Sequence, residues 1–539
     1  MLDSVMEKVR SAAPDPPPAI APSQLPPAHV YPDRLDAPLL KISGVCILAT
    51  VMAILDVTVV SVAQRTFIDQ FGSTQAVVGW TMTGYSLALA TVIPVTGWAA
   101  DRFGTKRLFM GSVAAFTAGS LLCALASNIL QLIVFRVVQG VGGGMLLPLT
   151  FMILTREAGP ARLGRLMSLL SIPMLLAPIG GPILGGWLIG KADWRWIFLI
   201  NLPIGLATIV LAAIVFARDH PARSETFDVV GVLLLSPGLA TFLFGVSSIP
   251  ARGTVADRHV VLPATVGLAL IGAFVVHAWH RADHPLIDLR LFKNRVLTQA
   301  NVTMVVFAVA FFGSCLLLPS YFQQVLHKTP MQAGVHMIPQ GLGAMLTMRL
   351  TGPLVDRQGP GKIVLVGIAL ITAGLGMFTL GVARQAAYLP TLLVGLAIMG
   401  LGMGCTMMPL SVASVQALAP HQIARGTTLI SVSQQVGGSI GTALMSMVLT
   451  NQFNHSENIS AANKLAALQQ KAAGTGAPAA QSALPARTLA PDFWSNVVRD
   501  LSHAYTAVFV IAVVLVVSTI VPAAFLPKKP ASDTVPRSD

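Results

Sequence analysis

Residues 54–63, ILDVTVVSVA, put a single carboxylate, Asp56, inside the first long apolar run of the chain, and no other Asp or Glu lies well inside an apolar segment. A charge at that depth costs about 2.5–3.5 kcal/mol on insertion scales. Ion coupling or substrate binding is the usual reason to keep one there. A second charge, Arg136, interrupts the fourth apolar run. Counted from the outer ends of their runs, both groups lie roughly 10–12 Å below the surface at about 1.5 Å per residue. Equal depth lets them pair directly or through water. Burial and a nearby guanidinium act on a carboxylate in opposite senses, and a balance that conformation can tip is what a proton carrier needs. The plain alternative is a static ion pair that holds two helices together.

The elements that must position these groups are legible in the composition. The chain has 539 residues, 54% hydrophobic and 11% charged, against about 25% charged in soluble domains. Continuous apolar runs of about 20 residues make it an all-α polytopic membrane protein. The net charge of +13 is spread through short loops, so it carries no nucleic-acid patch. Cys46, Cys123, Cys315 and Cys405 fall inside apolar runs with no pairing or metal spacing; they read as small core residues. His277, His280 and His284 lie at the flank of a run and read as ordinary polar residues, and no metal site is expected. No phosphate loop or nucleophile constellation is present in the sequence, so an enzyme and an ATP-driven pump are not expected.

Fourteen runs can be counted, from 42–63 to 503–526. With the N-terminus inside, Lys and Arg favour the inner loops by about two to one, which places both termini in the cytoplasm. GWAADRFGTKR (97–107) and GPLVDRQGPGK (352–362) share the pattern Gly-x-x-x-Asp-Arg-x-Gly and fall on the same side. This parallel repeat predicts two six-helix halves with a site between them. The expected organisation is a disordered cytoplasmic tail over 1–40, an N-terminal half over 41–217, a two-helix insert over 218–294, a C-terminal half over 295–527 with a periplasmic loop at 451–501, and a cytoplasmic tail over 528–539.

Taken together, these stretches resemble the major facilitator superfamily, in particular its fourteen-span drug:proton antiporter branch. The resemblance rests on LDVTVVSVA in the first span, on the 97–107 loop and its weaker copy at 352, and on Arg136-Val-Val-Gln139-Gly140-Val-Gly142 in the fourth span. It rests further on Gly181-Pro182-Ile-Leu-Gly185-Gly186 in the fifth and on WRWIFLINLPIG (194–205) in the sixth. The chain departs at Ser61, where the family usually has Asn, and at Gln64-Arg65, where it usually has Leu-Pro. The resemblance implies a major facilitator fold: two six-helix bundles plus two inserted helices. It implies that Asp56 and Arg136 couple protons, and that Gly97, Asp101, Arg102, Gly104 and Arg107, with Gly352, Asp356 and Arg357, form a conformational latch. Gly181, Pro182, Gly185 and Gly186 would make a pliable, leak-tight antiporter helix. Gln139, Gln434 and Gln435 are polar groups at depth that would line a substrate cavity, and Gln434 and Gln435 could instead bond to neighbouring helices.

The expected function is proton-driven export of lipophilic or amphipathic compounds by alternating access, from the bacterial inner membrane and without a cofactor beyond the proton gradient. A dedicated exporter of one metabolite, lipid or peptide is the first rival, and a non-transporting scaffold or receptor the second. Expected partners are small lipophilic substrates and membrane lipids. Through the resemblance alone, a periplasmic adaptor and an outer-membrane channel are added.

Overall fold

The computed structural model describes residues 36–158, 162–219, 227–252, 255–280, 285–416, 418, 422–465 and 490–527. The tails 1–35 and 528–539, residues 466–489 of the outward loop, and His284 lie outside the described residues. The described chain is helical throughout. In order, its main helices are α1 (Ala37–Phe71), α2 (Trp80–Val92), α3 (Thr96–Phe103), α4 (Thr105–Ala124), α5 (Ile129–Ala158), α6 (Leu163–Lys191), α7 (Asn201–Val215), α8 (Val229–Arg252), α9 (Arg258–His280), α10 (Arg295–Gln324), α11 (Ile338–Gln358), α12 (Pro360–Ala383), α13 (Leu393–Gln416), α14 (Ile423–His455) and α15 (Phe493–Ser518).

Ten helices among the described residues are long and apolar enough to cross a membrane. Several of the expected spans fall outside that set for visible reasons. Pro94 removes a backbone donor and turns the chain through a 3₁₀ segment, Ile93–Val95, between α2 and α3. Helix α11 carries Arg349, Asp356 and Arg357, and α14 carries Thr427, Thr428, Ser431, Ser433, Gln434 and Gln435. Helix α1 also outruns its apolar stretch at both ends. It starts at Ala37, inside the segment expected to be a tail, with Pro38 in its first turn. At the other end, Arg65 stands where a proline would have removed a helical N–H, and the helix continues to Phe71.

Helices α1–α7 and α10–α15 pack in matching patterns. Helix α5 lies between α2 and α4, and α13 lies between α11 and α12; α7 packs on α4 as α15 packs on α12; α1 packs on α6 as α10 packs on α14. Small residues permit the tightest of these contacts. A Cβ at Gly140 would stand 2.7 Å from the Tyr85 carbonyl, and one at Gly144 2.8 Å from that of Leu89, so α5 can lie against α2 only with glycine there. The two groups meet where α6 crosses α11 and where α3 and α5 meet α14.

Helices α8 and α9 form a hairpin, and α8 touches both α2 and α14. Its fastenings to the first group are specific. The Phe227 ring lies 4.2 Å from Trp98, Ser236 Oγ donates to the Thr91 carbonyl at 2.7 Å, and Phe244 stacks on Trp80 at 5.6 Å. At the hairpin's base Asp228, 1% exposed, accepts from the Gly231 amide and from His277 Nε2, both at 2.9 Å, and from the Leu286 amide at 3.1 Å.

Candidate functional site

Arg136 and Gln139 lie three residues apart on α5 and therefore on one face. That face meets Asp56 at the middle of α1. The two charged side chains are wholly enclosed, and Arg136 Nη1 lies 2.5 Å from Asp56 Oδ2. The same nitrogen donates to Gln139 Oε1 at 2.7 Å, and Nε donates to the Thr81 carbonyl of α2 at 3.2 Å. The Tyr85 ring covers the guanidinium, with its centroid 4.2 Å from Cζ, a cation–π contact that partly compensates the lost hydration. Arg136 Nη2 is buried with no hydrogen-bond partner among the described residues.

The other carboxylate oxygen is held by amides. Gln139 Nε2 and Asn201 Nδ2 each donate to Asp56 Oδ1 at 2.9 Å. Asn201 Nδ2 also donates to Ser120 Oγ at 3.0 Å, and Ser120 in turn donates to the Phe198 carbonyl at 2.9 Å. The centre thus ties α1, α2, α4, α5 and α7 together around one acid. Sequence reasoning placed Asp56 and Arg136 at one depth, and the structure pairs them. Gln139, expected to line a cavity, bridges both members of the pair. Asn201 was missed as a site residue, although it lies within the quoted WRWIFLINLPIG stretch; a lone amide at the start of an apolar helix was the available signal.

The loop residues fall into two roles. Gly97 faces the second group of helices: a Cβ there would meet Thr428 Oγ1 at 2.8 Å and the Ala424 carbonyl at 3.0 Å, both on α14. Asp101 instead pairs with Arg156 of α5, 2.8 Å away within its own group. The open amides at the start of α4 are taken by Asp219, which accepts from Lys106 N at 2.9 Å and Arg107 N at 3.0 Å. Lys106 Nζ reaches the other way, to the Ala213 and Phe216 carbonyls at the end of α7, both at 2.7 Å. Arg102 and Arg107 are exposed.

The second copy of the loop has the same backbone. Gly104 (φ 92, ψ 149) and Gly359 (φ 77, ψ 157) occupy equivalent positions in a region that only glycine enters freely. Each precedes a helix that abuts the end of the last helix in its own group. In the second copy the Gly361 amide donates to the Pro527 carbonyl at 2.9 Å. Gly352 is buried and Arg357 exposed; the Asp356 side chain is outside the described ones.

On α6, Gly181 and Gly185 face α1 rather than the opposite group. A Cβ at Gly181 would fall on Thr58 Oγ1, two residues from Asp56, and one at Gly185 would stand 3.0 Å from Val59. Gly186 has open space around it, Pro182 is half-buried, and Ile183 packs against the apolar core of the second group. Gln434 and Gln435 are half-buried on α14. His277 pairs with Asp228, and no group of metal-ligating side chains occurs among the described residues.

Two like groups of long apolar helices, with a charged centre enclosed mid-helix, define a polytopic membrane transporter. The chain belongs to the major facilitator superfamily, whose model matches residues 46–442. It is 68% identical over 534 residues to the multidrug resistance protein B homolog of Mycobacterium tuberculosis, covering 99% of this chain and 98% of that one. It is 31% identical over 412 residues to the multidrug export protein EmrB of Escherichia coli, covering 75% and 79%. Its fold is like that of the human organic anion transporter MFSD10 (TETRAN), with a TM-score of 0.56 over 89% of this chain and all of that one at 14% identity.

Proposed function

We propose that the protein is a proton-coupled antiporter that exports lipophilic or amphipathic drugs by alternating access. The observation that carries this reading is the Asp56–Arg136 pair, enclosed between the middle of α1 and the outer third of α5, helices whose other acids, Asp69 and Glu157, lie only in their last turns. The names of the relatives, multidrug resistance and multidrug export, supply the substrate class. In this reading the chain crosses the bacterial cytoplasmic membrane fourteen times with both termini inside. Residues 41–217 and 295–527 are the moving halves and 218–294 the insert, and loops 97–107 and 352–362 lie at the cytoplasmic face. A proton from outside adds to Asp56 and favours release of substrate outward; its departure to the cytoplasm resets the carrier. Gly97 with α14 is the latch that closes the cytoplasmic side, and Asp101, Arg102, Gly104, Arg107, Gly352, Asp356 and Arg357 shape its two loops. The pliable element is α6 at Gly181, Pro182, Gly185 and Gly186, while Gln434 and Gln435 face substrate. A periplasmic adaptor with an outer-membrane channel is a further partner to be sought by co-purification.

The test is efflux of lipophilic cationic dyes from vesicles, with and without an imposed proton gradient, for the parent and Asp56→Asn. Loss of gradient dependence in Asp56→Asn with retained folding is the expected result. Full gradient-driven efflux by that variant would remove the reading.

A further inference from the structure

Asp56 is surrounded by donors. Oδ2 faces Arg136 Nη1, and Oδ1 faces both Gln139 Nε2 and Asn201 Nδ2. A carboxylate accepts all three bonds, but a carboxylic acid must itself donate one. Once protonated, Asp56 would set an O–H against an N–H, so at least one neighbour has to present an acceptor. Arg136 has none to offer. Gln139 has a carbonyl, but its Oε1 already accepts from Arg136 Nη1 at 2.7 Å and from Cys123 Sγ at 3.6 Å. Turning that amide would aim its NH₂ at the guanidinium.

Asn201 is free of this conflict. Apart from Asp56, its Nδ2 meets only the Ser120 hydroxyl, which can reverse from acceptor to donor. That reversal releases the Phe198 carbonyl, to which Ser120 now donates at 2.9 Å. The charged or titratable side chains around Asp56 are Arg136 on α5, Tyr85 on α2 and Cys123 on α4. From α6, the described positions against α1 here are the glycines 180, 181 and 185, and they bring no charge.

We propose that Asn201 is the positioning residue of the proton switch: its side-chain amide turns over when Asp56 is protonated and supplies the acceptor for the new O–H. This rests on the proton-carrying reading of Asp56 given above. In the step, one proton adds to Asp56 Oδ1 and forms an O–H bond. Asn201 then presents Oδ1 in place of Nδ2, and Oδ1 accepts from both Asp56 and the reversed Ser120 hydroxyl. Arg136 keeps its charge and its bonds to Thr81 and Gln139. Deprotonation restores the original set. The first turn of α7 therefore senses the charge on α1 through a side chain that occupies the same place in both states.

The experiment is pH-difference infrared spectroscopy of the full chain in liposomes, comparing the parent with Asp56→Asn, Asn201→Leu, Asn201→Ser and Ser120→Ala. The expected result is a carboxylic C=O band, absent in Asp56→Asn, that titrates with the same midpoint as a side-chain amide C=O shift. That amide shift should vanish in Asn201→Leu and weaken in Ser120→Ala. In gradient-driven dye efflux, Asn201→Leu should be about tenfold slower, the scale of one lost buried hydrogen bond. Asn201→Ser should stay within about twofold of the parent, because a hydroxyl both donates and accepts. A titrating Asp56 band with no amide shift, or an amide shift that survives Asn201→Leu, overturns this inference alone. The absence of any Asp56-dependent carboxyl band would overturn the proton-carrying reading along with it.

Discussion

Replacing Gly97 by alanine tests the latch with a single added carbon. Gly97 lies on α3, and the atoms its Cβ would meet lie on α14: Thr428 Oγ1 at 2.8 Å, the Ala424 carbonyl oxygen at 3.0 Å and its carbon at 3.3 Å. Carbon atoms pack at about 3.5–4.0 Å, so the new methyl intrudes by several tenths of an ångström. Neither neighbour yields easily. The threonine is β-branched and its hydroxyl is tied to the Ala424 carbonyl at 2.9 Å, while the second contact is backbone. Overpacking of this kind costs about 1–3 kcal/mol. Because the clash exists only while α3 and α14 are together, the cost falls on that closed state. The population ratio of closed to open should then drop by about fivefold to 150-fold at about 1.4 kcal/mol per decade. The assay is double electron–electron resonance between labels on α3 and α14 in lipid nanodiscs, with the melting temperature measured in parallel. The long-distance population should grow in Gly97→Ala, and Thr428→Ala should partly restore the parent distribution, since it removes the nearer contact and leaves the carbonyl. An unchanged distance distribution in Gly97→Ala would refute the reasoning, as would a loss of thermal stability that Thr428→Ala does not relieve.

Three further outcomes follow from the same geometry. Arg136→Ala leaves Asp56 buried without its cation and should destabilise the fold by about 3–5 kcal/mol; adding Asp56→Asn should recover much of that in thermal unfolding, whereas additive losses would contradict a direct pair. Asp219→Ala uncaps the start of α4 and should lower stability by about 0.5–2 kcal/mol, measured as a fall in melting temperature, with dye efflux retained at permissive temperature. Gly181→Ala drives a methyl into Thr58 beside the charged centre and should slow gradient-driven efflux by at least about tenfold, an overpacking cost of about 1.4 kcal/mol or more, while Gly190→Ala, on the same helix and meeting open space, should transport normally.

Asp56 and Arg136 were legible because a charge in an apolar run is conspicuous wherever it lies. The repeat of the 97 and 352 loops was legible as a pattern, and Gly104 and Gly359 share a backbone conformation that explains it. What the sequence withheld was which surfaces meet. Nothing near Gly97 marks α14 as its partner, and nothing near Gly181 says that it faces Thr58 of α1 rather than the opposite helices. Asp101 pairs with Arg156, and Asp219, silent in the sequence, takes the open amides at the start of α4. Asn201 went unnoticed because an amide carries no charge, and its importance comes from the acid it touches. Helix ends were the weakest part, since apolar composition marks what lies in lipid and not where hydrogen bonding stops: α1 runs past its apolar stretch on both sides.

The hairpin α8–α9 makes the two flanks of the molecule unequal. On one flank α6 meets α11 directly; on the other, α8 spans from α2 to α14, held to the first group by Phe227, Ser236 and Phe244. The two groups of helices thus touch directly on one flank and are bridged by a third element on the other. The hairpin thus gives the molecule a front and a back, because only one of its two seams is bridged.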